Sequence, residues 1–149
     1  MLNSNKKLII LDADGTTIDA FNAIDKAFSL HGMTLGDQGR FQKRRHLFKY
    51  LGGLKECLAN LKKQVSKQKR KQLIATLTTV YREEAQLYPG NAAMIQTLID
   101  APDIVVGLIT RNVTNDPIET LRQLFRRHQI DIDALDFMVH LPLKQEKTV

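Results

Sequence analysis

Two carboxylates one residue apart, Asp12 and Asp14, stand directly after the apolar run Leu8-Ile9-Ile10-Leu11 and directly before Gly15. Crowded at one chain reversal, they repel each other, and each loses hydration. A divalent cation relieves both problems, and hard oxygen donors suit Mg²⁺. The plainer reading is a turn in which Asp and Gly end a strand. A helix-loop-helix calcium site is excluded, because Gly15 comes two places early and a strand-like run precedes it. A second candidate is Thr110-Arg111-Asn112, which closes another apolar run, Ile104 to Ile109. A hydroxyl and successive backbone N–H groups in a loop leading to a helix can hold phosphate oxygens. Taken alone, such a tripeptide has the composition of an ordinary surface loop.

The elements that must position these groups follow from periodicity. Leu8 to Leu11 is too short for a helix and does not alternate, which predicts a strand of about Lys6 to Leu11, buried on both faces of a parallel sheet. In open sheets of that kind, ligands bind beyond the carboxyl ends of the strands, where Asp12 and Thr110 both lie. Ile18, Phe21, Ile24 and Phe28 predict a helix ending near His31-Gly32. Helical patterns continue over 41–50, 54–63 and 67–86, the last with Leu73, Leu77, Val80 and Tyr81 on one stripe.

Residues 20–88 thus contain no convincing strand, while the flanking segments do, which predicts an inserted helical subdomain forming a small antiparallel bundle. After Pro89-Gly90, Asn91 is expected to cap a helix carrying Met94, Ile95, Leu98 and Ile99. Asp116-Pro117-Ile118-Glu119 signals a second helix start, with Asp as cap and Pro at the first helical position. Ile118, Leu121, Leu124 and Phe125 should face the core, and Arg126, Arg127 and His128 should complement that helix's negative end. Phe137 to Val139 is the third strand. Strand, helix, strand, helix, strand with right-handed crossovers predicts an α/β, Rossmann-like parallel sheet. The core would be split over 1–19 and 89–149, and the inserted helical subdomain would occupy 20–88.

The chain has 149 residues, enough for one domain or a small core with an insertion, and one cysteine, Cys57. A single cysteine excludes an internal disulfide and fits a reducing, cytoplasmic setting. No apolar stretch is long enough to cross a bilayer, and residues 1–10 do not read as a signal peptide. The formal charge is +6, and Lys62 to Lys71 hold six cations and no acid. That field attracts anions. The window lacks interleaved aromatics for base stacking, which argues against nucleic acid and for a solvated helix face.

Four apolar residues followed by Asp12-Ala13-Asp14-Gly15-Thr16-Thr17 resemble the first motif of the haloacid dehalogenase (HAD) superfamily. Thr110 at the end of the second strand is similar to its second motif. Pro89-Gly90 and a helical insert after the first motif resemble the phosphoglycolate phosphatase-like branch. The resemblance implies a Mg²⁺-dependent phosphomonoester phosphatase acting on a small phosphorylated metabolite. Asp12 would be the nucleophile, Asp14 the general acid and base, and Gly15, Thr16, Thr110, Arg111 and Asn112 the phosphate-binding set. The Asp12 carboxylate and the Asp14 backbone carbonyl would hold the metal. Asp14 also favours phosphatase over dehalogenase chemistry, since the latter needs neither metal nor acid there. A third-motif lysine is expected at Lys147, with Lys144 as the alternative, and the cap residues Arg44, Arg45 and Lys49 could face the substrate.

The family's fourth motif, an acidic cluster ending a strand beside the first, has no counterpart before the chain ends. The resemblance therefore predicts a core incomplete at its C-terminal side, ending roughly 60–80 residues early for such a domain. Leu8 to Leu11 would then form an exposed apolar edge. It also raises a rival reading, a catalytically silent or partner-binding domain; a nucleic-acid-binding module comes third.

Overall fold

The computed structural model describes residues 5–33 and 66–141. Three parallel strands, β1 (Lys7–Asp12), β2 (Ile104–Thr110) and β3 (Phe137–His140), form one sheet in the order β1-β2-β3. Four described helices connect them: α1 (Ala20–Leu30), α2 (Lys67–Glu83), α3 (Asn91–Asp100) and α4 (Pro117–Arg127), with a 3-10 turn at Ile132–Ala134. β1 pairs with β2 so that Asp12 lies opposite Ile109, and β2 pairs with β3 so that Thr110 lies opposite His140. The α/β class with a parallel sheet is as the periodicity predicts.

Register decides which strand residues are covered. Ile9 and Leu11 share a face with Val106 and Leu108, and the latter two are fully buried. The opposite face presents Leu8 and Ile10, 60% and 51% exposed. This corrects the expectation of a first strand buried on both faces. Strands added in one direction by right-handed crossovers place their helices on one side of the sheet, and β1 stands at its edge among the described residues. The hydrophobic run is a strand, as its length predicts; its second cover is not supplied by the described helices.

On β2 the same face carries Gly107, opposite Phe137. A Cβ added there would lie 2.1 Å from the Phe137 ring. The ring thus fills the space a side chain would take, and Gly107→Ala is expected to destabilise the chain by about 1–3 kcal/mol through overpacking. A lowered thermal midpoint checks this; an unchanged one would mean that the ring moves aside freely.

Several local expectations shift. α1 begins at Ala20, with the Asp19 carboxylate accepting from the Asn22 N–H. Its buried stripe is Ala20, Ala23, Ile24, Ala27 and Phe28. Ile18 lies before the helix, in bridges to Asp14 and Leu87. α2 buries Leu73, Leu77, Val80 and Tyr81 as predicted, but ends at Glu83. Gly90, at φ 84°, is the cap of α3, where a left-handed residue is needed and glycine carries no penalty. Asn91 is used elsewhere: its amide donates to the carbonyls of Thr16 and Thr17 at 3.2 and 3.0 Å. Asp116 does cap α4, accepting from the Glu119 N–H, and Pro117 follows it.

Arg127 does not serve its own helix end. Its guanidinium donates to the carbonyl of Arg82 at 2.7 Å, to that of Tyr81 at 3.2 Å and to that of Ala85, closing the C-terminal end of α2. His128 Nε2 accepts from the Leu87 N–H at 3.2 Å. Burial, then the Arg127 charge, hold this imidazole below its ordinary pKa. The unfolded chain therefore takes up the proton first as pH falls. The neutral histidine's contribution is complete above about pH 6.5 and declines below it, toward the folded value. Denaturant unfolding at pH 7 and pH 5.5 should show a smaller pH-dependent loss in His128→Gln than in the parent chain; equal slopes would contradict this.

Candidate active site

The chain reverses just after β1 through a compact loop. Thr17 Oγ1 donates to the Asp12 carbonyl at 2.7 Å, and the N–H groups of Thr17 and Ile18 both donate to the Ala13 carbonyl, at 3.0 and 2.9 Å. Gly15 sits at φ 79°, in the left-handed region where an L side chain is strained, and donates to the Ile18 carbonyl at 3.0 Å. The Asp12 side chain stays exposed, its Oδ2 meeting only a long contact from Thr16 Oγ1 at 3.3 Å among the hydrogen bonds described.

Asp14 lies in a different environment. Its Oδ1 accepts from the Tyr81 hydroxyl at 2.8 Å and from the Asn112 amide at 3.2 Å, and its Oδ2 from the Thr110 hydroxyl at 3.4 Å. These donors come from helix α2, from the loop after β2 and from the end of β2. Burial is the main force on Asp14 and raises its pKa; the nearby Asp12 charge adds to this. The three donors oppose the shift by stabilising the carboxylate, and the net direction is upward. A carboxyl whose proton affinity is raised by its surroundings is suited to act as an acid. The Tyr81 hydroxyl is driven well above its ordinary range, first by burial and then by the Asp14 charge.

Thr110 and Asn112 are each 1% exposed. The Asn112 N–H donates to Thr110 Oγ1 at 3.0 Å, and Asn112 Oδ1 accepts from the Thr114 N–H at 2.9 Å and from the Thr114 hydroxyl. His140 Nε2 lies 3.0 Å from the Asn112 carbonyl. The loop after β2 is thus a hydrogen-bonded turn centred on Asn112. Arg111 is exposed at its rim.

The structure brings together Asp12, Asp14, Gly15, Thr16, Thr110, Arg111 and Asn112 at the carboxyl ends of β1 and β2. Lys147 and Lys144, as well as Arg44, Arg45 and Lys49, lie outside the described residues. In the sequence Tyr81 is only a core position, since a tyrosine on an apolar helical stripe carries no sign of its hydroxyl partner. Asn112 was read as a phosphate donor, and its role in holding the loop together was not visible.

For a magnesium ion, the donors divide. The exposed Asp12 carboxylate is a hard oxygen ligand with spare capacity, which fits an ion held by one or two carboxylates plus substrate phosphate. Both Asp14 carboxylate oxygens are engaged by neutral donors, so only its backbone carbonyl suits the metal role. Among the described residues, no group of three His, Cys, Asp or Glu side chains is placed to hold an ion.

Comparison with known proteins places the fold. Among solved structures, the chain is similar to a hydrolase of the haloacid dehalogenase-like family from Streptococcus pneumoniae, with a TM-score of 0.57 and 18% identity. The match covers 92% of this chain and 62% of that one. No family model matches the sequence, and no curated protein matches it. The chain therefore shares the fold of that neighbour, as the first-motif resemblance implied, and spans less than two thirds of its length.

Proposed function

We propose that this site belongs to a Mg²⁺-dependent phosphomonoester phosphatase working through an aspartyl-phosphate. The observation that carries the reading is the unequal pair: Asp12 exposed and lightly bonded, Asp14 half-buried and held by three donors. Asp12 attacks phosphorus as the ester oxygen departs, and Asp14 in its acid form gives that oxygen its proton. The resulting Asp14 carboxylate then takes a proton from water as the water attacks the aspartyl-phosphate, releasing inorganic phosphate and restoring both groups. The upward shift of Asp14 favours the protonated start, and its hydrogen-bond donors stabilise the carboxylate formed midway. Magnesium, when bound at Asp12, would neutralise charge on the phosphoryl oxygens. Thr16 and Arg111, on the open side of the loop, would meet those oxygens.

The substrate class is a small phosphorylated metabolite, which rests on the resemblance given above. The test is formation of a beryllofluoride adduct at Asp12 in the presence of Mg²⁺, read by ¹⁹F NMR, alongside hydrolysis of p-nitrophenyl phosphate. Adduct and turnover support the reading; absence of both at millimolar Mg²⁺ overturns it. A partner-binding domain without turnover is the second reading, favoured by the exposed Leu8 and Ile10 face.

A further inference from the structure

We propose that Tyr81 is a positioning residue whose hydroxyl fixes the orientation of the Asp14 carboxylate, making helix α2 a structural part of the active site. The inference rests on the acid–base role proposed above for Asp14, and concerns where that carboxylate points rather than its proton affinity. Tyr81 is fully buried, and its hydroxyl meets Asp14 Oδ1 at 2.8 Å across 67 positions of sequence. A buried tyrosine hydroxyl needs a partner, and any backbone carbonyl would satisfy it. Here the partner is instead the side chain with the most chemistry in the site.

The helix under Tyr81 is held on both sides. Thr78 Oγ1 accepts from the Asn115 N–H at 2.9 Å, tying α2 to the same loop that carries Asn112. Arg82 Nε donates to Thr120 Oγ1 at 3.1 Å, and its Nη2 donates to the Asn115 carbonyl at 3.0 Å. Arg127 binds the carbonyls of Tyr81 and Arg82 from α4. The phenol therefore cannot follow a rotating Asp14 without breaking bonds within one turn of itself. An aspartate has several open rotamers; donors from α2, β2 and the following loop favour the one that meets all three. Tyr81→Phe removes only this restraint and keeps the ring in the core.

Two measurements on the 149-residue chain with Mg²⁺ test the proposal. The first does not depend on turnover: a slowly exchanging Tyr81 hydroxyl proton in the ¹H NMR spectrum, absent in Tyr81→Phe and displaced in Asp14→Asn. The second compares Tyr81→Phe with the parent on p-nitrophenyl phosphate. The value of kcat should fall about tenfold or more, KM should stay within about twofold, and the beryllofluoride adduct at Asp12 should form as before. A hydroxyl signal that is missing, or that ignores Asp14→Asn, overturns the contact. Unchanged kcat overturns the positioning role, and so does a fall in kcat that tracks loss of both adduct and folded protein. If the parent shows the hydroxyl signal but neither adduct nor turnover, the phosphatase reading fails, and Tyr81's catalytic part fails with it.

Discussion

Asp12→Asn is expected to lower hydrolysis of p-nitrophenyl phosphate by on the order of 10³-fold or more, because an amide is a far poorer nucleophile toward phosphorus than a carboxylate. Stability should change little, since the side chain is exposed and Thr16 Oγ1 at 3.3 Å can bond an amide oxygen equally well. The beryllofluoride adduct should be lost in the same variant. Retention of more than about a tenth of the parent rate would exclude Asp12 as nucleophile and remove the proposed mechanism. The control is informative because removing the nucleophile and disturbing the fold predict different things: the first leaves the denaturation midpoint in place.

Asn112→Ala should have the largest effect on stability, and should lower activity as well. The side chain is 1% exposed, donates to Asp14 and accepts from the backbone and hydroxyl of Thr114. Truncation leaves the buried Thr114 N–H and hydroxyl without their acceptor, and takes one of two donors from Asp14 Oδ1, which keeps the Tyr81 hydroxyl. Unsatisfied buried polar groups cost about 1–3 kcal/mol each, so a loss of roughly 2–4 kcal/mol is expected from denaturant unfolding. Asn112→Asp offers a comparison: it keeps the acceptor for Thr114 but sets a second acid against Asp14, and should lose most of the activity with it. If Asn112→Ala unfolds at the parent's midpoint, the turn after β2 is held by something other than this residue.

The electrostatics give these substitutions a common logic. Asp14 is raised by burial and restrained by donors, so each donor removed leaves the buried charged form less supported. The surface pairs of Arg122 with Glu119 and Asp133, at 2.7 and 3.1 Å, lie on α4 and the 3-10 turn and are solvated. Pairs of that kind contribute little to stability, and their loss should leave the site intact.

What the sequence by itself determined is local. The apolar runs Leu8 to Leu11 and Ile104 to Ile109 are strands because they are short, unbroken and ended by polar turn residues. The α4 start is written in Asp116-Pro117, and the stripe of α2 in its spacing. Two strand ends that must lie side by side in a parallel sheet bring Asp12 next to Ile109, and so the carboxylate loop beside Thr110. That much follows from chain order and handedness alone.

The tertiary structure decided the rest. Which face of β1 is covered depends on which side the crossovers place their helices, and no run of four apolar residues records that. Arg127 looked like a partner for its own helix end, but the neighbouring end of α2 offered three carbonyls in reach. Tyr81 and Asp14 are distant in sequence, and their meeting requires α2 to dock on α4 and the loop after β2. A side chain's type shows what it can donate or accept, whereas its actual partner is set by packing between elements far apart along the chain.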